Sequence, residues 1–340
     1  MYSFRNDYSE GAHPRVLEAL AQTNLTQTCG YGLDPCCAEA AELIRSLCGA
    51  PEAAVHFLVG GTQTNLVVLD AMLAPYESVI AAQTGHINVH ETGAIEATGH
   101  KVCTVPAPDG KLTPQLVDTV VQSHSGEHMV LPRVVYISDT TEIGTVYTKA
   151  ELTALREYCD AHSLKLFLDG ARLGTALTSP ENDLTLADLA RLTDAFYIGG
   201  TKNGLLFGEA LVLPSPMPHF RWHMKQRGAI LAKGRLLGVQ FKAILSDGLY
   251  FDLARRANEL AFRLRDGIAA LGYPFPVPSP SNQQFPVLPN EVAAKLVELG
   301  YEFETDHAVD VGHTCIRLVT SWATPEDAVE AFLRDLKNCR

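Results

Sequence analysis

Short apolar runs alternate along the first 213 residues with segments in which apolar residues recur at helical spacing. The runs predict strands at 55–59, 78–81, 101–105, 133–138, 165–169, 194–198 and 209–213. Helical spacing lies between them, for instance at 65–73, 114–121 and 149–162. Strands that alternate with helices are typical of a sheet that is covered on both faces. The pattern therefore predicts an α/β domain built on a mostly parallel seven-stranded sheet.

A different pattern begins after Leu213. Prolines interrupt the chain at 214, 216 and 218, and helical spacing then starts near Arg221 and continues past Ala243, which predicts one long helix. Further helices are predicted at 252–271, 290–299 and 325–336, with short strands at 284–288, 301–303 and 315–320. A chain of 340 residues exceeds the size at which single cores stop growing. We therefore expect a large domain at 1–245 and a small C-terminal α+β domain at 246–340.

Composition and charge narrow the classes of partner. The net charge of −12 argues against nucleic acid or an anionic membrane as the main partner. The sequence has neither an apolar run long enough to span a membrane nor a signal-peptide pattern, so we expect neither spanning nor secretion. Its eight cysteines follow neither a disulfide framework nor metal-ligand spacing. A cytoplasmic protein with no metal site and no disulfides is expected.

Two polar residues follow predicted strands at positions that suggest chemistry. Asp169 ends the strand 165–169, and Lys202 follows the strand 194–198 after Gly-Gly-Thr. Ligands of open α/β sheets bind at the carboxyl ends of the strands, and a partly buried lysine can act as an amine nucleophile. Pyridoxal phosphate needs a carboxylate for its pyridine nitrogen and a lysine for a Schiff base. The pair predicts a pyridoxal-phosphate enzyme, although Asp169 could be only a helix cap and Lys202 a solvated loop residue.

Two further segments fit such a cofactor. Gly61 and Thr62 lie between the strand 55–59 and a helix, where free backbone N–H groups can bind a phosphate, unless the segment is an ordinary loop. His86 follows the strand 78–81, with Glu91 about one helical turn onward. An imidazole at this edge of the sheet could stack on the cofactor ring and act as a base. The alternative is a hydrogen-bonded histidine without a catalytic role.

Cations are clustered in the C-terminal half. The segment 219–235 contains no acidic residue and five basic ones: Arg221, Lys225, Arg227, Lys233 and Arg235. We interpret it as a basic helix that meets a phosphate or an acidic surface of a second subunit, with a solvated helix face as the alternative. Arg317 lies in the otherwise apolar strand 315–320 and needs an anion. A substrate carboxylate and a structural ion pair fit it equally well.

These segments together resemble one enzyme family. The motifs are YGxDP at 31–35, GGTQTN at 60–65, GHINVHETGA at 85–94, LDGARL at 168–173, GGTKNG at 199–204 and IRLVT at 316–320. In this order they resemble the L-threonine aldolases, which belong to the β-eliminating lyase group of fold-type-I pyridoxal-phosphate enzymes. The resemblance extends from Phe4 to about Phe332. It implies an aspartate-aminotransferase-like large domain and a small C-terminal domain.

The resemblance also implies a role for each candidate residue. Lys202 would carry the Schiff base, Asp169 would pair with the pyridine nitrogen and His86 would stack on the ring. Gly61 and Thr62 would bind the cofactor phosphate, and Arg172 and Arg317 would bind the substrate carboxylate. Arg235 or, alternatively, Arg227 would contact the cofactor phosphate of a neighbouring subunit. Two positions depart from the family pattern, since Asn6 and Thr201 stand where serines are usual. Both residues keep hydrogen-bonding groups, at the substrate and cofactor respectively.

The activity that the resemblance implies is cleavage of a β-hydroxy-α-amino acid, such as L-threonine or L-allo-threonine, to glycine and an aldehyde. It also implies a homo-oligomer, a dimer or a homotetramer, with active sites shared between subunits. Two alternatives remain open at this point. One is another fold-type-I lyase that acts by β-elimination on a different amino acid. The other is a binding protein that keeps the fold without catalysis.

Overall fold

The central sheet has seven strands. The computed structural model describes residues 2–339, and the strands are β1 Ala54–Leu58, β2 Glu77–Ala82, β3 Lys101–Val105, β4 Leu131–Ser138, β5 Lys165–Asp169, β6 Ala195–Gly199 and β7 Glu209–Leu213. Their order is β1-β7-β6-β5-β4-β2-β3. Strands β6, β5, β4, β2 and β3 run parallel, whereas β7 is antiparallel to both of its neighbours. The predicted fold, a mostly parallel seven-stranded sheet, is confirmed.

Helices cover both faces of this sheet. They are α1 Pro14–Gln22, α2 Pro35–Cys48, α3 Gly61–Met72, α4 His86–Val89, α5 Pro114–Ser123, α6 Lys149–Ala161, α7 Leu173–Leu177, α8 Leu186–Leu192, α9 Phe220–Gln226 and α10 Arg235–Leu245. Successive residues of the central strand β5 enter different cores, with Leu166 and Leu168 in one cluster and Phe167 in the other. Both faces of β5 are therefore buried, which explains its continuous apolar sequence.

The prediction of one long helix from Arg221 past Ala243 is wrong, because the structure has two helices in this segment. Helix α9 ends at Gln226, and Gly228 then adopts a left-handed conformation with φ of 69°. Helix α10 begins only at Arg235, after a loop that packs against the segment before α2. A Cβ on Gly234 would lie 2.5 Å from the backbone nitrogen of Gly32. The five cations of this segment therefore do not share one helix.

The C-terminal part forms a smaller unit with its own sheet. Its elements are α11 Leu249–Ala270, β8 Gln283–Gln284, β9 Val287–Pro289, α12 Asn290–Glu298, β10 Glu304–Ala308, β11 His313–Val319 and α13 Glu326–Asn338. Strand β11 pairs antiparallel with β10, β8 and β9. The strand predicted at 301–303 is displaced, because the buried Tyr301 belongs to the core and the strand starts at Glu304.

The first residues of the chain pack into this smaller unit. Phe4 donates its backbone N–H to Glu302 (2.7 Å) and accepts from Val319 (2.8 Å), and its side chain is fully buried in the core of the unit. The segment that follows Phe4 then passes between the two sheets. Residues near position 7 therefore lie where the large and small units meet.

Two further findings concern expectations from composition. Among residues 2–339 no helix is both long and apolar enough to cross a membrane. All eight cysteines are free thiols, and six of them are buried.

Candidate active site

The carboxyl ends of the parallel strands open onto a cavity of about 540 Å³ between the large and small units. Asp169 is the last residue of β5, and Lys202 follows the end of β6 by three positions. Eight of the candidate residues line this one cavity: Gly61, Thr62, His86, Asp169, Arg172, Thr201, Lys202 and Arg317. Chain segments far apart in sequence thus place an amine, a carboxylate, an imidazole and two guanidinium groups together.

Asp169 is a buried carboxylate held by four donors. Its Oδ2 accepts from Tyr136 Oη (2.6 Å) and Asn65 Nδ2 (2.9 Å), and its Oδ1 accepts from the Ala171 backbone N–H (3.0 Å) and from the Tyr197 hydroxyl. Burial would raise the pKa of Asp169, but the charge of His86 and the tyrosine hydroxyls together lower it. An ionised carboxylate in this position can keep a proton on a pyridine nitrogen.

Lys202 is the amine of the cavity. Burial lowers the pKa of its ammonium group, and the nearby charge of Arg172 lowers it further. Asp7 and Asp169 act in the opposite direction. Its Nζ lies 5.9 Å from the ring centre of Tyr8. A lysine with a lowered pKa holds more of its nitrogen in the nucleophilic free-amine form near neutral pH.

Two carboxylates from different loops, Glu91 and Glu142, contact His86. Its Nδ1 lies 2.7 Å from Glu91 Oε1, and its backbone N–H donates to Glu142 Oε1 (2.8 Å). Glu91 also accepts from Asn65 Nδ2 (2.7 Å), the same amide that bonds Asp169. The ring orientation of His86 is therefore coupled to the Asp169 carboxylate through Glu91 and Asn65. Glu91 engages Nδ1, so that Nε2 is the ring nitrogen left for other partners.

The start of α3 borders the opposite side of the cavity. Gly60 is the N-cap of this 12-residue helix, and a Cβ built on it would meet no atom within 4 Å. A Cβ on Gly61 would lie 3.0 Å from the Tyr197 hydroxyl. The first backbone N–H groups of a helix have no partner within the helix and attract anions. Open space adjoins Gly60, and Gly61 packs closely against Tyr197. This helix start therefore offers free N–H groups next to open space, which suits a phosphate group.

The two arginines of the cavity differ in their partners. Arg172 binds Asp7 with both Nε (2.8 Å) and Nη2 (3.0 Å), and Asp7 also accepts from Asn282. Burial would raise the pKa of Asp7, but Arg172 and Lys202 outweigh it and lower the pKa. Arg317 donates to the Arg5 carbonyl at 3.4 Å, and its buried Nε has no hydrogen-bond partner among the described residues. Arg317 is therefore the cation that can accept a further anion.

Pyridoxal phosphate fits this set of residues. The cavity offers an amine with a lowered pKa at Lys202 and an ionised carboxylate at Asp169. It also offers an open helix N-terminus at Gly61 and a flat ring at His86. Those are the groups that this cofactor uses for its aldehyde, its ring nitrogen, its phosphate and the face of its ring. An anion-binding group remains at Arg317 for a substrate.

Three candidate residues lie outside the cavity lining. Asn6 Oδ1 accepts from the Tyr8 backbone N–H (3.0 Å) and from Ser9 Oγ (2.9 Å). Arg227 pairs with Asp70 at 2.6 Å, and Arg235 donates to Thr23 Oγ1 at 3.1 Å and to the Asn24 carbonyl at 3.4 Å.

Sequence reasoning missed several polar residues of the cavity. They are Tyr8, His90, Ser138, Thr140, Glu142, Tyr197, Glu209 and Gln283, with Tyr136 directly behind Asp169. A signal existed for the two tyrosines of β4 and β6, since a buried hydroxyl in an apolar central strand must find a hydrogen-bond partner. A similar signal existed for Glu209, the one charged residue of the apolar strand β7. Tyr8 and Gln283 carried no such signal.

One group of potential metal ligands lies apart from the cavity. Ligand atoms of Asp306, His307 and Cys315 lie within 4.8 Å of one another where β10 pairs with β11. Asp306 Oδ2 and His307 Nδ1 already form a hydrogen bond of 2.7 Å. Burial raises the pKa of the Cys315 thiol to about 11, which disfavours the thiolate that metals prefer. The Cys315 thiol donates instead to the Phe285 carbonyl (3.7 Å), so each of the three residues already has a hydrogen-bond partner.

Comparison with known proteins identifies the family. Residues 4–290 match the model of the beta-eliminating lyase family. The chain belongs to this family. It is 31% identical over 98% of its length to a low specificity L-threonine aldolase from a Pseudomonas species, of which it covers 96%. The predicted enzyme class and cofactor are confirmed, since the chain is a pyridoxal-phosphate-dependent lyase.

Solved structures agree in fold. The chain superimposes on the threonine aldolase of Leishmania major with a TM-score of 0.98 and 51% identity, over 99% of both chains. It also matches an aspartate aminotransferase of Thermus thermophilus with a TM-score of 0.72 and 18% identity, over 99% of this chain and 91% of that one. The predicted aspartate-aminotransferase-like fold is thereby confirmed.

Lys202 is expected to be the lysine that bonds the cofactor. Borohydride reduction of the holoprotein should leave the cofactor attached to Lys202, because its amine faces the cavity with a lowered pKa. Peptide mass spectrometry would locate the adduct. Lys202→Ala should abolish labelling, whereas Lys225→Ala, outside the cavity, should keep it. An adduct on any other lysine contradicts the assignment.

Proposed function

We propose that this protein is a pyridoxal-phosphate-dependent aldolase that cleaves L-threonine or L-allo-threonine to glycine and acetaldehyde. One observation carries the proposal. The cavity combines the amine of Lys202 with the guanidinium of Arg317, whose buried Nε has no hydrogen-bond partner among residues 2–339, and with an imidazole that a buried carboxylate holds in place. The relatives' names as L-threonine aldolases support the same reaction.

Five residues would hold the cofactor. Lys202 would bond its aldehyde carbon, Asp169 its ring nitrogen, and Gly61 and Thr62 its phosphate, while His86 would lie against its ring. Thr201 would contribute its hydroxyl next to Lys202. When bound, pyridoxal phosphate supplies an electron sink for the electron pair released as the Cα–Cβ bond of the substrate breaks.

Arg317 would fix the orientation of the substrate. A carboxylate can accept two parallel hydrogen bonds from a guanidinium group, and the Nε of Arg317 is available for one of them. Arg172 is already paired with Asp7, so its contribution is a positive charge held in a fixed position. Fixing the carboxylate would limit how the substrate can turn in the cavity and so which of its bonds at Cα is broken. In this way the two arginines select the Cα–Cβ bond for cleavage.

His86 is the proposed base for the β-hydroxyl proton. Its Nδ1 contacts Glu91, so Nε2 would take the proton from the hydroxyl directly or through one water. Glu91 is 5% exposed and would stabilise the imidazolium that forms. The ring centre of His90 lies 5.4 Å from that of His86. Burial lowers the pKa of His90, and the charge of His86 lowers it further. The lowered pKa disfavours a proton on His90.

The reaction can be tested by its products. Purified holoprotein with L-threonine should release glycine and acetaldehyde in equal amounts, measured by amino-acid analysis and an alcohol dehydrogenase assay. Arg317→Gln should raise KM about tenfold or more, because a charge-assisted hydrogen bond contributes about 1.5–3 kcal/mol. Arg5→Gln, whose ion pair with Glu304 lies outside the cavity lining, is the matched control. Release of 2-oxobutanoate and ammonium instead would identify a β-eliminating enzyme.

Asp169 can be tested separately from cofactor binding. Asp169→Asn should retain the cofactor yet lose activity about a hundredfold or more, because a neutral amide no longer favours a protonated ring nitrogen. Cofactor content is measured by absorbance and activity by acetaldehyde release. An undiminished rate in Asp169→Asn at full cofactor occupancy would show that Asp169 has only a structural role.

We further propose a homo-oligomer, a dimer or a homotetramer, in the cytoplasm. Arg235 donates only to neutral oxygens of Thr23 and Asn24, and no carboxylate of the described residues lies within ion-pair distance of it. Arg235 contacts the chain next to Leu25, which is 93% exposed, and Leu33 further along the same loop is 67% exposed. Such side chains are typical of a protein interface. The free thiols suit a reducing compartment.

The two arginines proposed for the neighbour's phosphate can be distinguished. Arg235→Gln should weaken cofactor affinity about tenfold or more, because Arg235 forms no ion pair among residues 2–339 and donates only to the neutral oxygens of Thr23 and Asn24. Arg227→Gln should leave that affinity unchanged, since Asp70 already neutralises Arg227. Cofactor titration by fluorescence and sedimentation velocity would measure both variants. A monomer with unchanged affinity in Arg235→Gln refutes the shared site.

A further inference from the structure

Glu209 is a buried carboxyl to which the mechanism above gives no role. It is the first residue of β7, is 3% exposed and lines the cavity. The rest of β7, Ala210–Leu213, is fully buried and apolar. Burying an ionisable group is unfavourable unless partners compensate for the lost hydration. Its partners therefore indicate what it does.

Those partners are the two residues that precede Lys202. Glu209 Oε2 accepts from the Gly200 backbone N–H (3.1 Å), and Oε1 accepts from Thr201 Oγ1 (2.8 Å). The Thr201 hydroxyl in turn accepts from the Gly208 backbone N–H (3.0 Å). The carboxyl thus joins the end of β6 to the start of β7 through side-chain contacts. The backbone from which Lys202 projects is fixed by this arrangement.

The charges of Glu209 and Lys202 also act on each other. Burial raises the pKa of Glu209 to about 8, with Thr201, Gly200 and the charge of Lys202 opposing the rise. Glu209 in turn partly counteracts the lowering of the pKa of Lys202. The other ionisable groups that face Glu209 are Asp169 from β5, Tyr197 from β6 and Tyr250 from α11. None of these three groups carries a positive charge. Among the groups named here, Lys202 is therefore the cation that interacts with Glu209.

We propose that Glu209 is a positioning residue for Lys202, which holds the Gly200–Thr201 backbone and supplies the negative charge that retains a proton on the Lys202 nitrogen. The inference rests on the proposed function only in taking Lys202 as the lysine that bonds the cofactor. A proton on the Lys202 nitrogen favours the ionised form of Glu209, since the charge of Lys202 opposes the rise in the pKa of Glu209. Loss of that proton favours the neutral form of Glu209, which burial also favours.

The test is a pH titration of the visible absorbance of the bound cofactor, which reports the protonation of the nitrogen that joins it to Lys202. In Glu209→Gln the midpoint should fall by about one pH unit, a tenfold loss of proton affinity. Thr201→Val removes the hydroxyl contact but keeps the charge, so its midpoint should stay near that of the wild type while cofactor dissociates faster. Together the two variants separate charge from backbone support.

A matched control is available in Asp139→Asn. Asp139 is 1% exposed, burial raises its pKa to about 8, and its side chain accepts from the Tyr147 backbone rather than lining the cavity. This variant should titrate like the wild type. If Glu209→Gln fails to fold, as judged by circular dichroism, Glu209→Asp is titrated in its place and should give a smaller shift in the same direction.

An unchanged midpoint in the folded Glu209 variant overturns the inference. A shifted midpoint in a protein that does not release glycine from threonine supports Glu209 and refutes the proposed reaction, so the two failures are distinguishable. A wild-type protein whose bound cofactor shows no visible band refutes both.

Discussion

The ionised Asp169 carboxylate, held in a buried position, is the constraint on which the rest of the site depends. Keeping a charge there requires donors, and they come from three elements: Asn65 of α3, Tyr136 of β4 and Tyr197 of β6. The same Asn65 amide bonds Glu91, which orients His86. Satisfying one buried charge therefore also fixes the start of α3 and the imidazole. The helix that would bind phosphate and the strand that carries the carboxylate are positioned by one network.

A second buried pair balances the charges on the other side of the cavity. Arg172 and Asp7 form a bidentate ion pair, and leaving either charge unpaired in a buried position is strongly destabilising. Asp7 forms its ion pair with Arg172 and not with Arg317. The Arg317 guanidinium is therefore available to bind the anionic group of a ligand. Arg172 thus has a structural role at the site, and Arg317 is the arginine that can bind a ligand. Burial lowers the pKa of Arg317 and of Lys202, and the charge of Arg172 lowers each of them further.

Much of the fold was predictable from sequence because the strands of the central sheet are short, mostly apolar runs between segments with helical spacing. Strands 101–105, 165–169 and 209–213 coincide with β3, β5 and β7. The break between α9 and α10 was not predictable, because helical spacing continues across it while the contact of Gly234 with Gly32 is made by a distant segment. At the site, Asp169 and Lys202 were found because strand ends meet at one edge. The apolar strands around Tyr136 and Tyr197 indicated that each hydroxyl needs a partner, but not that the partner is Asp169. The pairing of Arg172 with Asp7 depends on side-chain geometry that a linear pattern does not contain.

The position of the first residues has a consequence for how the protein is made. Phe4 bonds Glu302 and Val319, and Asp7 bonds Asn282 as well as Arg172. A ribosome releases the N-terminus first, yet its partners in the small unit emerge some three hundred residues later. Contacts of such long sequence separation form late in folding. The nascent chain can therefore build the central sheet during synthesis, but its cavity closes only after the chain up to Val319 has left the ribosome.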